Sequence, residues 1–510
     1  MSATQPNASA CLLRNGDAVP LAAVPTVAAE KCADEVAARC ANGSRLAGLL
    51  AWPTDDDSRE LIALVMHDAS GQIELLRTFV AAGASYPSIT PQVPAAHVFE
   101  RLLFEEERLT PQGHPWLKPV RRHRALEEPM TATRPTTTLP PAHPFFQVSG
   151  PGTHEVAVGP VHAGVIEPGH FRFQCSGEIV HHLEIQLGYQ HRGVTTLLER
   201  GTPAQRLVAA ESIAGDTAIG HALAHCMVVE ALTGTSVPLA AQMVRGIALE
   251  LERLANHVGD LGALCNDVAY QPGATWFGRL RGEFLNLLLE ISGNRFGRGL
   301  LVPGGVRCGI DAAQRASFAL RLQRAARDLH DTATLTFDAP SVLSRFERTG
   351  AVSHAVAEQL GLTGPVARAS GCNRDARRDH AHGVYRFSHL PVATTHSGDV
   401  MGRALVRWLE VERSFTFVRE QLAQLPDGPW CGSSGAVRPD QIAVALVEAW
   451  RGTIVHVGRS DPQAAIAGYR VFDPSLQNWT GLAMAMRNGQ ISDFPLCNKS
   501  FNLSYAGHDL

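Results

Sequence analysis

Apolar positions along this chain change spacing several times, and each change marks an element. Residues 30–123 mix short helical and strand patterns, including the apolar run Leu61-Ile62-Ala63-Leu64-Val65-Met66. Residues 127–141 are rich in Pro and Thr, cannot hold a helix, and read as a linker. Beyond them, residues 170–175 and 178–185 alternate roughly in period two around a Ser176-Gly177 turn, which predicts a hairpin. Spacings of three and four then dominate over 205–232, 240–268 and 277–300, with further helices around 312–331 and 400–425 and more strand near 453–457. No internal repeat is present. The predicted fold class is α+β. A small α/β domain spans 30–125, a Pro/Thr-rich linker 126–145, and a mainly helical large domain with a small β-sheet at its start 146–510.

One predicted helix carries an unusual polar set. Arg245, Glu250, Arg253 and His257 sit among Ile247, Leu249, Leu251, Leu254 and Val258. Such spacing fits a solvated face with i,i+4 pairing. It fits equally a buried charged chain that carries protons.

Composition narrows the class. A chain of 510 residues with 45% apolar and 18% charged residues is globular and long enough for a large core. A formal net charge of −4 gives no electrostatic reason to expect nucleic acid, and Arg121-Arg122-His123-Arg124 is too short to change that. The N-terminal residues lack the basic start and apolar core of a secretory signal, and no stretch has the apolar length to cross a bilayer. Ten scattered cysteines form no C-x-x-C pair, so they are expected to be buried or free thiols in a reducing compartment. Neither a G-x-G-x-x-G after a strand nor a P-loop occurs, so NADH is not expected to bind this chain itself.

Several longer segments are more specific. Gly159-Pro160-Val161-His162 and Glu167-Pro168-Gly169-His170-Phe171-Arg172 open the large domain. Then come Gly188-Tyr189-Gln190-His191-Arg192-Gly193, Gly215-Asp216 with His221, and Pro303-Gly304-Gly305-Val306. Gly364-Pro365 with Arg368, Arg377-Arg378-Asp379, and Gly398-Asp399-Val400 follow. Glu448-Ala449-Trp450-Arg451-Gly452 and Asp473-Pro474-Ser475 with Asn478-Trp479 stand near the end. In this order they resemble the family shared by complex I 49-kDa subunits and large subunits of energy-converting nickel–iron hydrogenases of the hydrogenase-3 and hydrogenase-4 type. Tyr86-Pro87-Ser88-Ile89-Thr90-Pro91 and Gly113-His114-Pro115-Trp116-Leu117 resemble the complex I 30-kDa subunit, fused ahead. The resemblance covers about residues 44–510. It departs at Leu103-Phe104-Glu105-Glu106-Glu107-Arg108, where the family has a hydrophobic Asp-Leu-Phe-Gly type segment.

The resemblance implies two Cys-x-x-Cys pairs that hold the metal. Here those four positions are Ala214, Thr217, Ser504 and Gly507. Nickel needs soft thiolates to stabilise the oxidation states that bind hydride, whereas Thr and Ser offer only hard neutral hydroxyls. No metal is therefore expected at these degenerate positions, and Cys226 and Cys497 lie off them. The pocket is expected to persist, vacant or reused.

Other residues carry over from the family. Arg451 resembles an arginine that overhangs the metal pocket, and Glu167 a glutamate that passes protons from it. His170 resembles the quinone-binding histidine of complex I, while Glu211 stands where its tyrosine partner would be. The expected proton-handling set is His170, Glu211 and Glu167, and His162, His191, Arg192 and Arg451 complete a quinone pocket. His191-Arg192 is expected to bond across a subunit interface, and Arg368, Arg377 and Arg378 to contact a partner.

The family implies that this partner is a small iron–sulfur subunit carrying a four-iron cluster, beside antiporter-like and anchor membrane subunits. No cofactor is expected on this chain itself, with a quinone as candidate acceptor. The leading expectation is a peripheral subunit of a complex I-like oxidoreductase at the cytoplasmic face of the cell membrane. A non-catalytic scaffold is the alternative, and an active hydrogenase is opposed by the four substitutions.

Overall fold

The computed structural model of this chain describes residues 10–121, 143–162 and 166–510. Most of the expected linker at 126–145, together with Arg122, His123 and Arg124, lies outside the described residues. Helix and strand are mixed, in keeping with the predicted class.

The N-terminal unit is one antiparallel sheet with two helices. Strands β1 (Cys11–Arg14), β3 (Arg45–Pro53), β4 (Ser58–His67) and β5 (Gln72–Ala81) run in the order β1-β5-β4-β3, while β2 (Ala18–Pro20) leaves for another sheet. Helices α1 (Ala29–Ala41) and α2 (His97–Glu107) pack on it. The apolar run at 61–66 is the middle of β4 and is buried on both faces.

The large domain opens with β6 (Thr153–Val158), β7 (His170–Ser176) and β8 (Ile179–Gln186), antiparallel in the order β8-β7-β6. Its helices include α3 (Pro203–Glu211), α4 (Ala218–Thr233), α5 (Leu239–Asp267), α6 (Gln271–Ser292), α7 (Ala312–Phe337), α8 (Val400–Gln424), α9 (Pro474–Ala485) and α10 (Tyr505–Asp509), beside several short ones. Strands β9 (Gln441–Ala449), β10 (Gly452–Ser460) and β11 (Ile466–Phe472) make a third sheet, ordered β11-β10-β9-β2.

That third sheet is a party wall. Because side chains alternate along a strand, Ile442, Val444 and Leu446 of β9 join the N-terminal core while Ala443, Ala445 and Val447 join the helical core. Asn15, between β1 and β2, donates to the carbonyls of Leu446 (2.8 Å) and His380 (2.6 Å) and accepts from the Leu446 N–H (2.8 Å). The first unit therefore begins at Cys11 rather than residue 30, and residues as distant as Leu476 complete its core.

Two expected helices are cut short. The segment 205–232 breaks at 212–217, where the Ser212 hydroxyl turns back to the Val208 carbonyl (2.7 Å) and Arg192 takes the carbonyls of Ser212 and Ile213. The segment 277–300 stops at Ser292 because Gly293 adopts φ +76°. Among the described residues, no helix is long and apolar enough to cross a membrane.

The motif at 86–91 has a local cause. Glu100, fully buried on α2, accepts from the Ser88 hydroxyl (2.6 Å), the Ile89 N–H (2.8 Å), and the Thr90 N–H (3.1 Å) and hydroxyl (2.6 Å). In the second motif, Trp116 lies under the Arg101 guanidinium at 4.5 Å. The divergent segment at 103–108 forms the last turn of α2 and bonds within the chain. Glu105 accepts from the Val120 N–H (2.7 Å) and Glu107 pairs with Arg59 and Arg470 (both 3.0 Å).

Replacing Glu100 by Ala strands four donors in a dry core. The expected cost is about 3–5 kcal/mol, read as a lower urea midpoint for unfolding.

Candidate functional site

The break between α3 and α4 and the C-terminal helix α10 are brought together by one loop. Arg192 donates to the carbonyls of Ser212 (2.7 Å), Ile213 (3.0 Å) and Ala506 (3.3 Å), and its N–H to that of Leu510 (2.8 Å). His191 Nδ1 donates to the Asp509 carbonyl (2.7 Å), while the Asp509 carboxylate accepts from the N–H groups of Gly188 (2.8 Å) and Gln190 (2.9 Å). The bonding partners of His191 and Arg192 seen here lie within the chain itself. Both residues latch the chain to its own tail.

The four degenerate positions are buried and satisfied locally. Thr217 Oγ1 donates to Asp216 (3.1 Å) and accepts from Trp450 Nε1 and Arg451 Nη1 (both 3.1 Å). Ser504 caps α10 by accepting from the Gly507 N–H (2.8 Å). A Cβ at Gly507 would stand 2.7–3.0 Å from the three carboxyl atoms of Asp473, closer than real side chains approach. Asp473 therefore occupies the space that a ligand side chain at 507 would need.

Asp473 ends a buried line of hydrogen bonds. Its Oδ2 meets His221 Nε2 (3.0 Å), His221 Nδ1 meets His456 Nε2 (3.1 Å), and the Tyr469 hydroxyl meets both His456 Nδ1 (2.9 Å) and His225 Nδ1 (3.1 Å). None of the five side chains is more than 2% exposed. Burial, then Arg206, pushes His225 down to about 4, and burial, then His221 and His225, holds His456 well below the ordinary range. Burial works against charge on Asp473 too, but the bond to His221 and the field of Arg451 keep its carboxyl low. The Tyr469 hydroxyl can donate to only one of its two histidine neighbours, so the other donates to it, and His221 donates to the Asp473 carboxylate.

A cavity of about 750 Å³ lies beside this closed quartet, lined by His162, Glu167, Asp216, Asp267, Arg451, Lys499 and Tyr505 among others. It is lined by their neighbours Asp216, Leu503 and Tyr505 rather than by Ala214, Thr217, Ser504 and Gly507 themselves. Arg451 binds Asp216 through both nitrogens (2.6 and 2.7 Å), donates to the Asn502 carbonyl (2.6 Å) and lies 3.9 Å over the Trp450 ring. This pairing outweighs burial and keeps the Asp216 carboxyl low. Glu167 accepts from the Ala506 N–H (3.3 Å), in the first turn of α10, and His162 Nε2 donates to the Gly169 carbonyl (2.9 Å).

His170 and Glu211 are not a pair. His170 Nδ1 donates to the Gly159 carbonyl (3.0 Å), its ring meets Phe145 at 5.2 Å, and burial pushes its pKa down. Glu211 accepts from the Gly299 N–H (2.7 Å) and faces Arg298 and Arg307, and burial pushes its carboxyl up. Among the described residues they share no partner, and neither lines the cavity.

The polar set of α5 is buried rather than solvated, with Arg245 5% exposed and Glu250, Arg253 and His257 at 0%. Arg245 stands apart, paired with Glu230 (2.5 and 3.1 Å). The other three join a network completed by distant elements. Arg253 donates to Glu250 (3.1 Å) and Glu410 (3.2 Å), His257 Nε2 to Glu410 (2.8 Å), and Arg368 to Glu410 (2.9 Å) and Glu448 (2.7 Å). Arg377 binds Glu250 (3.1 Å) and Asp375 (2.6 Å), and Tyr385 donates to Glu250 (2.7 Å). Arg368 and Arg377 are buried here, which corrects their expected role in a partner contact; only Arg378 of that trio is exposed. At one end the His257 ring meets Trp450, beneath Arg451 (6.3 Å). At the other, Tyr385 lines a second cavity of about 600 Å³ with Glu230, Arg245 and His382.

Known proteins resemble this chain over most of its length. The family described as "Respiratory-chain NADH dehydrogenase, 49 Kd subunit" matches residues 267–439. The chain is 30% identical over 441 residues to formate hydrogenlyase subunit 5 of Escherichia coli (strain K12), covering 83% of this chain and 77% of that protein. It is 31% identical over 351 residues to the carbon monoxide-induced hydrogenase of Rhodospirillum rubrum, covering 69% and 97%. One of the NADH-quinone oxidoreductase subunits of Herpetosiphon aurantiacus is 29% identical over 348 residues, covering 66% and 94%.

Gly507→Ala is expected to destabilise by about 1–3 kcal/mol. Much of that cost should vanish in an Asp473→Gly background, a non-additivity measurable by chemical denaturation.

The network also sets an acid limit. Burial opposes charge on Glu250, but Arg253 and Arg377, with bonds from Ser414 and Tyr385, hold its carboxyl at about 2. Its contribution is complete above the ordinary glutamate range and is lost as pH falls toward about 2. Denaturation midpoints should fall through that window, and less steeply in Glu250→Gln.

Proposed function

Since this chain belongs to the family joining energy-converting hydrogenase large subunits with the 49-kDa subunit of respiratory NADH dehydrogenase, we propose that it is a nickel-free subunit of a membrane-associated, complex I-like oxidoreductase. The observation that carries this reading is the Asp473 carboxylate standing against Gly507, with no thiolate at any of the four ligand positions. A nickel–iron centre needs soft ligands and room; this arrangement offers hard oxygen and none of the room.

The substrate-facing part of the proposal is the 750 Å³ cavity. A small acceptor of the quinone class, needing two electrons and two protons, would enter beside Glu167, His162 and Tyr505. A small iron–sulfur partner carrying a four-iron cluster would supply the electrons when bound. This chain would orient the headgroup and hand on protons, with Glu167 as one of the carboxyls lining the cavity and Arg451 fixed by Asp216 as a positive wall. Antiporter-like and anchor subunits would hold the assembly at the cytoplasmic face of the membrane.

A scaffold role is the second reading. It is favoured by the saturation of Arg451, Asp216 and Thr217 among themselves, by the bond of Ser504 to the Gly507 N–H, and by the different partners of His170 and Glu211.

Quinone-linked turnover of the purified membrane complex separates the two. Glu167→Gln is expected to lower kcat by about a hundredfold with assembly intact, and Glu211→Gln to change it by less than about twofold. Unchanged turnover in Glu167→Gln removes the cavity from the chemistry. A wild-type complex that reduces no acceptor leaves the scaffold.

A further inference from the structure

A second cluster of ligating side chains lies apart from the degenerate quartet, on the helical turn His354–Gln359 and the loop after the short helix Gly364–Ala369. His354 and Glu358 are four residues apart and so share one face of their turn. Cys372 faces them from the neighbouring loop, its thiol buried and its Sγ 3.8 Å from His354 Nδ1. One ligand atom from each of the three residues lies within 4.8 Å of the others.

The surroundings fit a cation. His354 Nδ1 lies 3.8 Å from Cys372 Sγ and 3.0 Å from the Ser370 carbonyl, so this edge of the imidazole is anchored beside the thiol. Gly371, at φ +89°, lets a further imidazole approach, since a Cβ there would stand 2.7 Å from His396 Nδ1 and 3.5 Å from His354 Nδ1. Arg374 opposes a cation by charge, and it pairs with one Glu358 oxygen (3.0 Å).

We propose that Cys372, His354 and Glu358, with His396 beside them, form a site for a divalent cation of the zinc class. One thiolate sulfur, one imidazole nitrogen and one carboxylate oxygen are the donor types that such a cation takes, with His396 or water in the fourth place. Binding releases the thiol proton to solvent as the sulfur–metal bond forms, with no change of oxidation state. Two negative ligands, Arg374 and the dication leave a net charge of +1. The bound ion would clamp the 354–359 turn to the loop that carries Asp375 and Arg377 of the buried network. This inference does not depend on the redox reading above.

The test uses the full-length chain without a histidine tag, stripped with chelator and titrated with Co²⁺. The expected result is one equivalent bound, with a thiolate charge-transfer band that Zn²⁺ displaces. Cys372→Ser should abolish the band, and His354→Ala, at an exposed position that does not threaten the fold, should weaken binding by more than about tenfold. Cys308→Ser, which removes an exposed thiol elsewhere, should leave both unchanged. Absence of a thiolate band in the wild type, or its survival in Cys372→Ser, overturns the proposal.

Discussion

The Asp473 carboxylate pressed against the bare Cα of Gly507 is the contact that shapes everything else in the site. Two groups cannot share that volume, so a carboxylate there and a ligand side chain at 507 exclude each other. Holding a charge in so dry a place requires partners. His221 and the Ser475 N–H supply direct bonds, and Arg451 supplies the opposing field. The histidine–tyrosine line behind His221 continues this bonding into the core.

A second constraint governs the bundle. Glu250, Asp375, Glu410 and Glu448 face Arg253, Arg368 and Arg377 in a region with almost no solvent. Removing such ions from water costs several kcal/mol each, and only dense, well-directed bonding offsets it. Replacing one member leaves its partner charged and unpaired. The arrangement therefore fixes how α5, α8 and β9 sit together, and β9 in turn supplies Trp450 and Arg451 at the end of its strand. The geometry of the cavity wall is inherited from charges buried well behind it.

Much of the fold could be read from spacing. The helices at 239–267, 312–337 and 400–424 follow three- and four-residue patterns, and the hairpin at 170–186 follows alternation and its Ser176-Gly177 turn. The break at 212–217 could not, because its cause is Arg192 reaching from another loop. The α5 charges were visible, but the same spacing suits a solvated face, and the partners that decide the matter stand far away at 368, 377, 410 and 448. The missing thiolates were plain in the sequence. Their replacement was not: His221 and His225 of α4 meet His456 of β10, Tyr469 of β11 and Asp473 at the start of α9, and no local spacing links them. The Cys372 cluster escaped for the same reason, since no C-x-x-C marks it. Glu211 stands where the family's tyrosine would be, and it bonds the Gly299 N–H while His170 bonds the Gly159 carbonyl.

Whether the former ligand site is closed by protein is the question on which the nickel-free reading stands. It is answered most directly by a crystal structure of the purified membrane complex with anomalous data at the nickel and iron edges. The expected map has no anomalous peak among Ala214, Thr217, Ser504 and Gly507, and it has the Asp473 carboxylate against Gly507 and bonded to His221. A nickel or iron peak in that volume, with Asp473 turned away from Gly507, would refute the closure.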